Sequence, residues 1–192
     1  MKPAAWLVQN IDVIPPGGLV LDVASGSGRH AHFLAAQGWR VHAVDRDAGA
    51  LGRLGQVGQA GSAVGSAEWR PGAWGLESGA WLGQVGRITT ECVDLEGGHV
   101  TLGDGLYDAV IVFNYLHRPL MPRIVNAVRP GGGVLIYETF TVGQAQRGRP
   151  RNPDFLLQEG ELPTLVAPLR VLRVREGDFE GALVASIVAI RD

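Results

Sequence analysis

Cysteine is scarce in this chain, and its scarcity excludes two common ways of holding a fold together. The sequence has a single cysteine, Cys92, so no disulfide can form within the chain, and no cluster of Cys and His residues indicates a metal site. Because Cys92 alternates with apolar neighbours, we expect it to be a small residue of the core. Lysine is equally rare: Lys2 is the only one, and the other cations are arginines.

The sequence also lacks the features of a membrane protein or a strongly charged one. No apolar run approaches the length of a membrane span, and the N-terminus has neither the basic nor the apolar region of a signal peptide. A cytoplasmic protein without a membrane partner is therefore expected. The formal net charge of −2 gives no general attraction to nucleic acid. A chain of 192 residues with 46% hydrophobic content suits one α/β domain with an ordinary core.

A strand, a glycine-rich turn and a helix follow one another near the N-terminus. Residues 18–23 form an apolar run typical of a buried strand, Gly26-Ser27-Gly28 forms the turn, and a helix is predicted over residues 28–37. A second predicted strand, residues 40–45, ends in the carboxylate of Asp45. Such a βαβ unit suits a ligand that contains a ribose. Glycine lets the backbone approach the ligand, and a carboxylate can accept hydrogen bonds from both ribose hydroxyls.

Two classes of cofactor fit this unit. The glycine spacing through Ala31, with Asp45 nineteen positions after Gly26, satisfies the fingerprint of a nicotinamide dinucleotide site. Asp22, at the end of the first strand, argues against that cofactor, because its carboxylate would repel a pyrophosphate and attract a cation with a free amino group. S-adenosyl-L-methionine carries both an ammonium and a sulfonium, and it is the favoured cofactor.

Several segments of the chain carry motifs of one known family. They are residues 21–28 (LDVASGSG), 113–119 (FNYLHRP), 129–133 (RPGGG), 137–140 (YETF) and 148–157 (GRPRNPDFLL). Together with Asp45, these segments resemble class I S-adenosylmethionine-dependent methyltransferases, and among these the bacterial tellurite-resistance-type methyltransferases. Residues 21–28 look like the first motif of that family, and Asp45 matches its second-strand acid. The likeness covers roughly residues 15–52 and 88–190.

The resemblance implies an α/β protein with a single-domain Rossmann-like methyltransferase fold. Such a fold has a mostly parallel twisted sheet, helices on both faces and an antiparallel C-terminal hairpin, which nicotinamide-binding domains usually lack. The sequence pattern predicts six or seven strands, a helix over residues 119–128 and a short leading helix within residues 4–14. The remaining strands are predicted over residues 88–93, 107–114, 134–138, 169–176 and 182–190, the last two joined around Gly177-Asp178.

Residues 52–87 interrupt this pattern. They are rich in glycine, alanine, serine and tryptophan and have little periodicity, although a helix should connect the second and third strands here. The sequence LGQVG at residues 54–58 recurs at residues 82–86, which indicates a duplication or insertion within a single domain of residues 1–192. We interpret the segment as a tolerated surface insertion. The alternative is a lid that carries Trp69, Trp74 and Trp81 over the substrate.

The family resemblance assigns cofactor-binding residues to the ends of four predicted strands. In that family the acid after the third strand accepts from the adenine amino group, and the next N–H donates to the ring. Each acid also has a structural alternative, since a carboxylate can cap a turn or form a surface ion pair with a nearby arginine. The assigned residues are Asp22, Ala24, Gly26, Gly28, Asp45, Arg46, Asp94, Leu95 and Phe113.

The chemistry is expected where the fourth strand ends, because in the resembling family this segment lies opposite the departing methyl group. Methyl transfer is an in-line displacement, so the protein mainly aligns the nucleophile and excludes water. A protonated nucleophile also needs a base, and His117 is the candidate because histidine ordinarily titrates near neutral pH. Packing or substrate binding is the alternative role for His117. The predicted catalytic residues are Asn114, Tyr115, His117 and Arg118.

Three arginines follow the predicted fifth strand, at positions 147, 149 and 151. Together they could clamp a carboxylate, a phosphate or an oxyanion, although a solvated charged loop is the commoner explanation for such a run. Next in the chain, Asn152-Pro153-Asp154 combines an N-cap residue, a proline and an acid. This combination predicts that a short helix begins there.

The favoured function is S-adenosylmethionine-dependent methylation of a small-molecule acceptor, such as a chalcogen oxyanion or another small nucleophile. Two alternatives belong to other classes: a nicotinamide-dependent oxidoreductase on the same βαβ unit, and a non-catalytic cofactor-binding module. Methylation of RNA or protein is an alternative within the class. Residues 114–118 depart from the Asn-Pro-Pro-aromatic pattern of many enzymes that methylate amino groups of nucleic acids, so nucleic acid is not the expected partner.

Overall fold

The computed structural model describes residues 2–59, 88–98 and 100–192. Within these ranges, seven strands form one sheet in the order β3-β2-β1-β4-β5-β7-β6. Strands β1 to β5 run parallel, and β7 lies antiparallel between β5 and β6. The strands are β1 Leu19–Val23, β2 Arg40–Asp45, β3 Ile88–Cys92, β4 Ala109–Phe113, β5 Gly133–Phe140, β6 Arg170–Phe179 and β7 Ala182–Arg191. The predicted Rossmann-like fold with an antiparallel C-terminal hairpin is confirmed.

Helices cover both faces of this sheet. They are α1 Ala5–Gln9, α2 Arg29–Ala36, α3 Ala48–Gln59, α4 Met121–Ala127 and α5 Leu162–Leu165. The central strand β4 is buried on both sides, and its side chains alternate between two hydrophobic clusters. Ile111 packs with residues of α1, α2 and α3, whereas Val112 packs with residues of α4 and α5. A continuous apolar run in β4 is the pattern expected of a parallel strand covered on both faces.

Most element boundaries agree with the sequence pattern to within a few residues, but the C-terminal hairpin turn does not. Strand β6 continues through Gly177 and Asp178 to Phe179, so the predicted junction at Gly177-Asp178 is wrong. The turn is formed by Glu180 and Gly181, whose φ angles are 54° and 82°. Positive φ at both central residues suits a two-residue hairpin turn, because the turn then follows the twist of the strands.

Helix α3 occupies the start of the segment predicted to be an irregular insertion. It extends to Gln59 despite glycines at every third position from Gly49 to Gly58. Tertiary packing overrides this low helix propensity, because Ala50, Leu51 and Leu54 are buried beneath the helix. Residues 60–87, with the three tryptophans of the lid alternative, lie outside the described residues.

Cys92 is exposed, so the prediction that it belongs to the core is wrong. It ends β3, which lies at the edge of the sheet, and its thiol donates to the backbone oxygen of Arg46 over 3.5 Å. In an edge strand, residues can alternate with apolar neighbours and still be exposed to solvent. The alternation around Cys92 therefore did not indicate burial. Every helix in the described part of the chain falls short of the length and apolarity needed to cross a membrane.

Candidate active site

The turn between β1 and α2 adopts left-handed backbone conformations that make room for a ligand. The φ angles of Ala24, Gly26 and Gly28 are 55°, 54° and 76°. A Cβ on Gly28 would lie 2.4 Å from Cδ1 of Leu54, so glycine is needed there for α3 to pack against the turn. A Cβ on Gly26 would meet no described atom within 4 Å. Gly26 therefore borders open space, as a backbone that contacts a ligand should.

Asp45 ends β2 and ties it to this turn. One carboxylate oxygen, Oδ2, accepts from the N–H of Gly26 over 2.7 Å. The other, Oδ1, accepts from the N–H of Asp47 over 2.9 Å. The carboxylate is only partly buried and lines a cavity at this edge of the sheet. Both oxygens are held by backbone groups, yet each retains capacity to accept from a ribose hydroxyl.

Asp22 is buried beneath the turn, with 1% of its surface exposed. Burial raises the pKa of this carboxyl to about 7, against the opposing effects of the Ala31 N–H and the Arg29 charge. Its Oδ2 atom has no hydrogen-bond partner within the described residues. Unsatisfied buried carboxylate oxygens are rare in proteins, so this atom marks a place where a positively charged donor would be stabilised.

Two further polar atoms beside the turn are buried without partners in the described structure, Oγ of Ser25 and Nε2 of His30. His30 lies in the first turn of α2, and its ring packs against Phe113 with centroids 4.4 Å apart. Burial lowers the pKa of His30 to about 3, and the Arg29 charge acts in the same direction. The imidazole is therefore neutral. Phe113 packs on the α1–α3 face of the sheet, and it does not contribute to the described cavity wall.

A cavity of about 530 Å³ opens where the parallel strands end. Its volume lies in the range of small-molecule sites. It brings together the sequence-predicted residues Ala24, Asp45, Arg46, Asp94, Leu95, Asn114 and Tyr115. Five further wall residues were not predicted from the sequence: Glu96, Leu116, Phe140, Pro150 and Phe155. Arg149, one of the three arginines considered either as an anion clamp or as a solvated charged loop, also lines the cavity.

The segment after β3 forms one end of the cavity. Asp94 accepts from the N–H of Glu96 through Oδ1 over 3.1 Å, which is the turn role considered as its structural alternative. Its neighbour Leu95 is 5% exposed and belongs to the core cluster shared with α4. Because both residues also line the cavity, the turn geometry and an adenine-binding role are compatible.

The segment that follows β4, residues 114–118 (the strand-four exit), is held by hydrogen bonds to β5. Asn114 has a φ of 58°, and its N–H donates to the backbone oxygen of Glu138 over 2.9 Å. The buried hydroxyl of Tyr137 donates to the backbone oxygen of Tyr115 over 2.6 Å. Burial raises the pKa of Tyr115, and the carboxylates of Glu96 and Asp94 raise it further. Tyr115 is therefore a protonated hydrogen-bond donor, and its hydroxyl has no partner among the described residues.

His117 and Arg118 lie beside the cavity, outside its described wall. The His117 side chain is half-buried, and its backbone oxygen accepts from the N–H of Leu120 over 2.9 Å. Arg118 donates to both carboxylate oxygens of Glu161, over 2.6 and 2.8 Å. It also donates to the backbone oxygens of Asp154 and Leu156, over 3.0 and 2.9 Å. The guanidinium of Arg118 thus anchors the segment that carries Phe155.

The three loop arginines have different surroundings. Arg147 pairs with Asp178, Arg149 lines the cavity, and the exposed Arg151 lies outside the described wall. The predicted short helix is a 3-10 turn over Pro153–Phe155, and the Asn152 side chain caps it by accepting from the N–H of Asp154. Arg149 was considered from the sequence as part of an anion clamp, but Phe155 was not. The sequence signal for Phe155 is that it follows β5, whose carboxyl end lies at the same edge as those of β1 and β4.

Comparison with solved structures shows the fold of S-adenosylmethionine-dependent methyltransferases. A SAM-dependent methyltransferase from Aquifex aeolicus superposes with a TM-score of 0.65 at 16% identity, covering 98% of this chain and 90% of that chain. A methyltransferase from Mesorhizobium loti gives a TM-score of 0.66 at 14% identity and covers 98% of both chains. A search of curated protein sequences gave no significant match.

Among proteins with this fold, the chain is similar to the tellurite resistance protein TehB. The family model of that protein matches residues 4–64. The structure of TehB from Haemophilus influenzae superposes with a TM-score of 0.69 at 18% identity, covering 99% of this chain and 63% of that chain. The predicted resemblance to tellurite-resistance-type methyltransferases is thus confirmed.

Proposed function

We propose that this protein transfers a methyl group from S-adenosyl-L-methionine to a small-molecule acceptor. The observation that carries the proposal is the pair of carboxylates around the glycine turn. Asp22 presents a buried, unpartnered oxygen beneath the turn, and Asp45 presents its carboxylate at the cavity. The first suits an ammonium group and the second suits a ribose diol, and S-adenosylmethionine carries both.

Five further predicted residues fit the same cofactor. Asp94 and Leu95 would hold the adenine, the first through its carboxylate and the second through its N–H and apolar side chain. Ala24, in the turn, and Arg46, after β2, line the same cavity. Gly26 would lie against the cofactor where the space above it is open. When bound, the cofactor supplies a methyl group activated by the sulfonium.

The acceptor would bind beyond the strand-four exit. Asn114 and Tyr115 reach the cavity on a backbone fixed by Glu138 and Tyr137, so they can orient a nucleophile. Leu116, Phe140 and Phe155 line the same cavity and would exclude water from the reacting atoms. The similarity to TehB makes chalcogen oxyanions one class of acceptor to test. A base role for His117, which lies outside the described wall, stays a prediction for acceptors that carry a proton.

Two observations weigh against the nicotinamide alternative. The buried Asp22 lies where a pyrophosphate would approach the helix N-terminus, and two negative groups would repel each other there. The antiparallel β6–β7 hairpin also matches the methyltransferase structures. A non-catalytic module would preserve the same cofactor site, so only turnover separates that alternative from an enzyme.

Isothermal titration with S-adenosylhomocysteine and with NADH tests the cofactor. We expect S-adenosylhomocysteine to bind and NADH not to bind, and tight binding of NADH alone would refute the proposal. A screen of thiol, hydroxyl, carboxylate and selenite acceptors, read out as S-adenosylhomocysteine formed, then tests catalysis. A protein that binds the cofactor product but never forms it with any acceptor would be a binding module.

A further inference from the structure

The cavity is divided by charge. Its cofactor end carries the carboxylates of Asp45, Asp94 and Glu96 together with Arg46, whereas its far end carries Arg149 and no carboxylate in the described wall. Arg149 is therefore the one charged side chain that the described wall offers to a molecule bound at the far end. The far end is also the part of the cavity that the proposed cofactor leaves for the acceptor, so the following inference rests on the proposed function.

Arg149 has an unengaged guanidinium on an anchored backbone. Arg147 pairs with Asp178, and Arg118 pairs with Glu161, but Arg149 has no side-chain partner in the described residues. Its backbone oxygen accepts from Nε2 of Gln144 over 3.4 Å. The Gln144 side chain is itself buried, and its Oε1 accepts from the N–H of Leu183 over 2.9 Å. The loop is thus fixed to β7 at the point where Arg149 faces the cavity.

Aromatic side chains border the same end of the cavity. Phe155 is 42% exposed, yet the backbone on both sides of it is held by Arg118 through the oxygens of Asp154 and Leu156. Phe140, at the end of β5, and Tyr115, after β4, line the cavity as well. The fold thereby holds an apolar surface open beside one cation.

We propose that the methyl acceptor is a small anion with an apolar body, and that Arg149 binds its negative group while Phe140 and Phe155 contact the body. A planar guanidinium pairs a carboxylate through two parallel hydrogen bonds. An inorganic oxyanion would use Arg149 but leave the aromatic surface uncovered. An uncharged apolar molecule would desolvate Arg149 without replacing its hydrogen bonds to water. Only an anion with an apolar body satisfies both features.

A matched set of small probes tests this assignment on the protein saturated with S-adenosylhomocysteine. Phenylacetate has both features, phenylacetamide lacks the charge, acetate lacks the ring, and selenite is an inorganic oxyanion. Dissociation constants are measured by ligand-detected NMR titration. We expect phenylacetate to bind at least about tenfold more tightly than each of the other three, the scale of one charge-assisted hydrogen-bonded pair. Equal binding of phenylacetamide, or tighter binding of selenite, would overturn the proposal.

Two arginine variants test which residue causes the preference for phenylacetate over phenylacetamide. Arg149→Gln should lose the preference for phenylacetate over phenylacetamide, whereas Arg151→Gln, two positions along the same loop, should keep it. An unchanged preference in Arg149→Gln would refute the role of Arg149. The titration with S-adenosylhomocysteine precedes the probes, which separates two failures. If the wild-type protein binds S-adenosylhomocysteine but not phenylacetate, this inference fails alone; if it does not bind S-adenosylhomocysteine, the proposed function fails.

Discussion

The carboxylate of Asp45 accepts a hydrogen bond from the backbone N–H of Gly26 over 2.7 Å. This bond joins the end of β2 to the turn after β1, so the residue proposed to hold the ribose also shapes the turn proposed to contact the cofactor. The helix after Asp45 is capped separately, because Oδ1 of Asp47 accepts from the N–H of Ala50 over 2.9 Å. Two neighbouring aspartates thus have separable roles.

Asp45→Ala should weaken S-adenosylhomocysteine binding by roughly 1.5–3 kcal/mol, the scale of hydrogen bonds to a charged group. Isothermal titration measures the change. Asp47→Ala is the matched control: it should lower the free energy of unfolding by about 1 kcal/mol through loss of the helix cap and leave the affinity unchanged. Equal affinities of Asp45→Ala and the wild type would exclude Asp45 as the ribose-binding residue.

The sequence pattern was sufficient to predict the sheet and to place several of the proposed cofactor-binding residues at one cavity. Apolar runs such as residues 41–44 mark buried parallel strands, and the acid that ends such a run must lie at the carboxyl edge of the sheet. Asp45 and Ala24 therefore lie at the cavity, as expected. The strand-four exit was placed by the same rule, and its residues Asn114 and Tyr115 line the cavity.

The acceptor half depends on contacts between distant parts of the chain, which local patterns do not encode. Phe155 reaches the cavity because Arg118, 37 positions earlier in the sequence, binds the backbone on both sides of it. Helix α3 was missed for a related reason, since burial of Leu51 and Leu54 outweighs its glycines. Cys92 was misplaced because its alternating pattern does not distinguish an edge strand from a central one.

Ala24→Gly should stabilise the protein. Ala24 has a φ of 55°, a left-handed conformation that costs a residue with a Cβ about 1–2 kcal/mol. Glycine removes that cost but loses roughly 0.5–1 kcal/mol through the greater entropy of the unfolded chain. We expect a net gain of about 0.5–1 kcal/mol in the free energy of unfolding, measured by urea denaturation. Ala35→Gly, within α2, should instead lose about 1 kcal/mol. A loss of stability in both variants would contradict the strain at Ala24.

Arg118→Ala should lower stability and loosen the segment that carries Phe155. It removes hydrogen bonds to two backbone oxygens and to Glu161, and partial exposure to solvent limits the cost to about 1–2 kcal/mol. Arg170→Ala, which breaks the exposed pair with Asp192, should change stability little. An Arg118→Ala protein of unchanged stability whose KM for an anionic acceptor rises would show instead that Arg118 contacts the substrate, as the sequence predicted.

His117→Ala should lower turnover with methyl acceptors that carry a proton and change it little with anionic acceptors. With a thiol or hydroxyl acceptor we expect turnover to fall by roughly 10²–10⁴-fold, the usual contribution of a general base. With an acceptor that is already an anion, turnover should change little. S-adenosylhomocysteine affinity should be unchanged, because His117 is not among the residues proposed to bind the cofactor. Equal turnover of His117→Ala and the wild type on a protonated acceptor would remove His117 from the chemistry.

Asp22→Asn should change how the stability of the ligand-free protein depends on pH. Burial raises the pKa of Asp22 from 3.8 to about 7, so over this range the native protein binds more protons at Asp22 than the unfolded chain does. The contribution of Asp22 to stability therefore falls as pH rises from 3.8 to about 7. Asparagine keeps the size and does not titrate, so Asp22→Asn should be more stable than the wild type at pH 8, by roughly 1–3 kcal/mol.

The buried histidines change stability with pH in the direction opposite to Asp22. The test is therefore the difference in stability between Asp22→Asn and the wild type. The pKa values of His30 and His42 are lowered to about 3 and about 4, which makes stability rise as pH increases toward 6.5 in both proteins. Urea denaturation at several pH values should show the stability difference between Asp22→Asn and the wild type growing between pH 4 and pH 8.

Binding of S-adenosylhomocysteine gives a second measurement of the role of Asp22. The wild type should lose S-adenosylhomocysteine affinity as pH falls from 7.5 to 5.5, because the Asp22 carboxylate must ionise to pair with the ammonium. Asp22→Asn should bind more weakly, with little dependence on pH. A pH-independent stability difference, together with unchanged affinity in Asp22→Asn, would show that Asp22 is neither the titrating group nor the ammonium site.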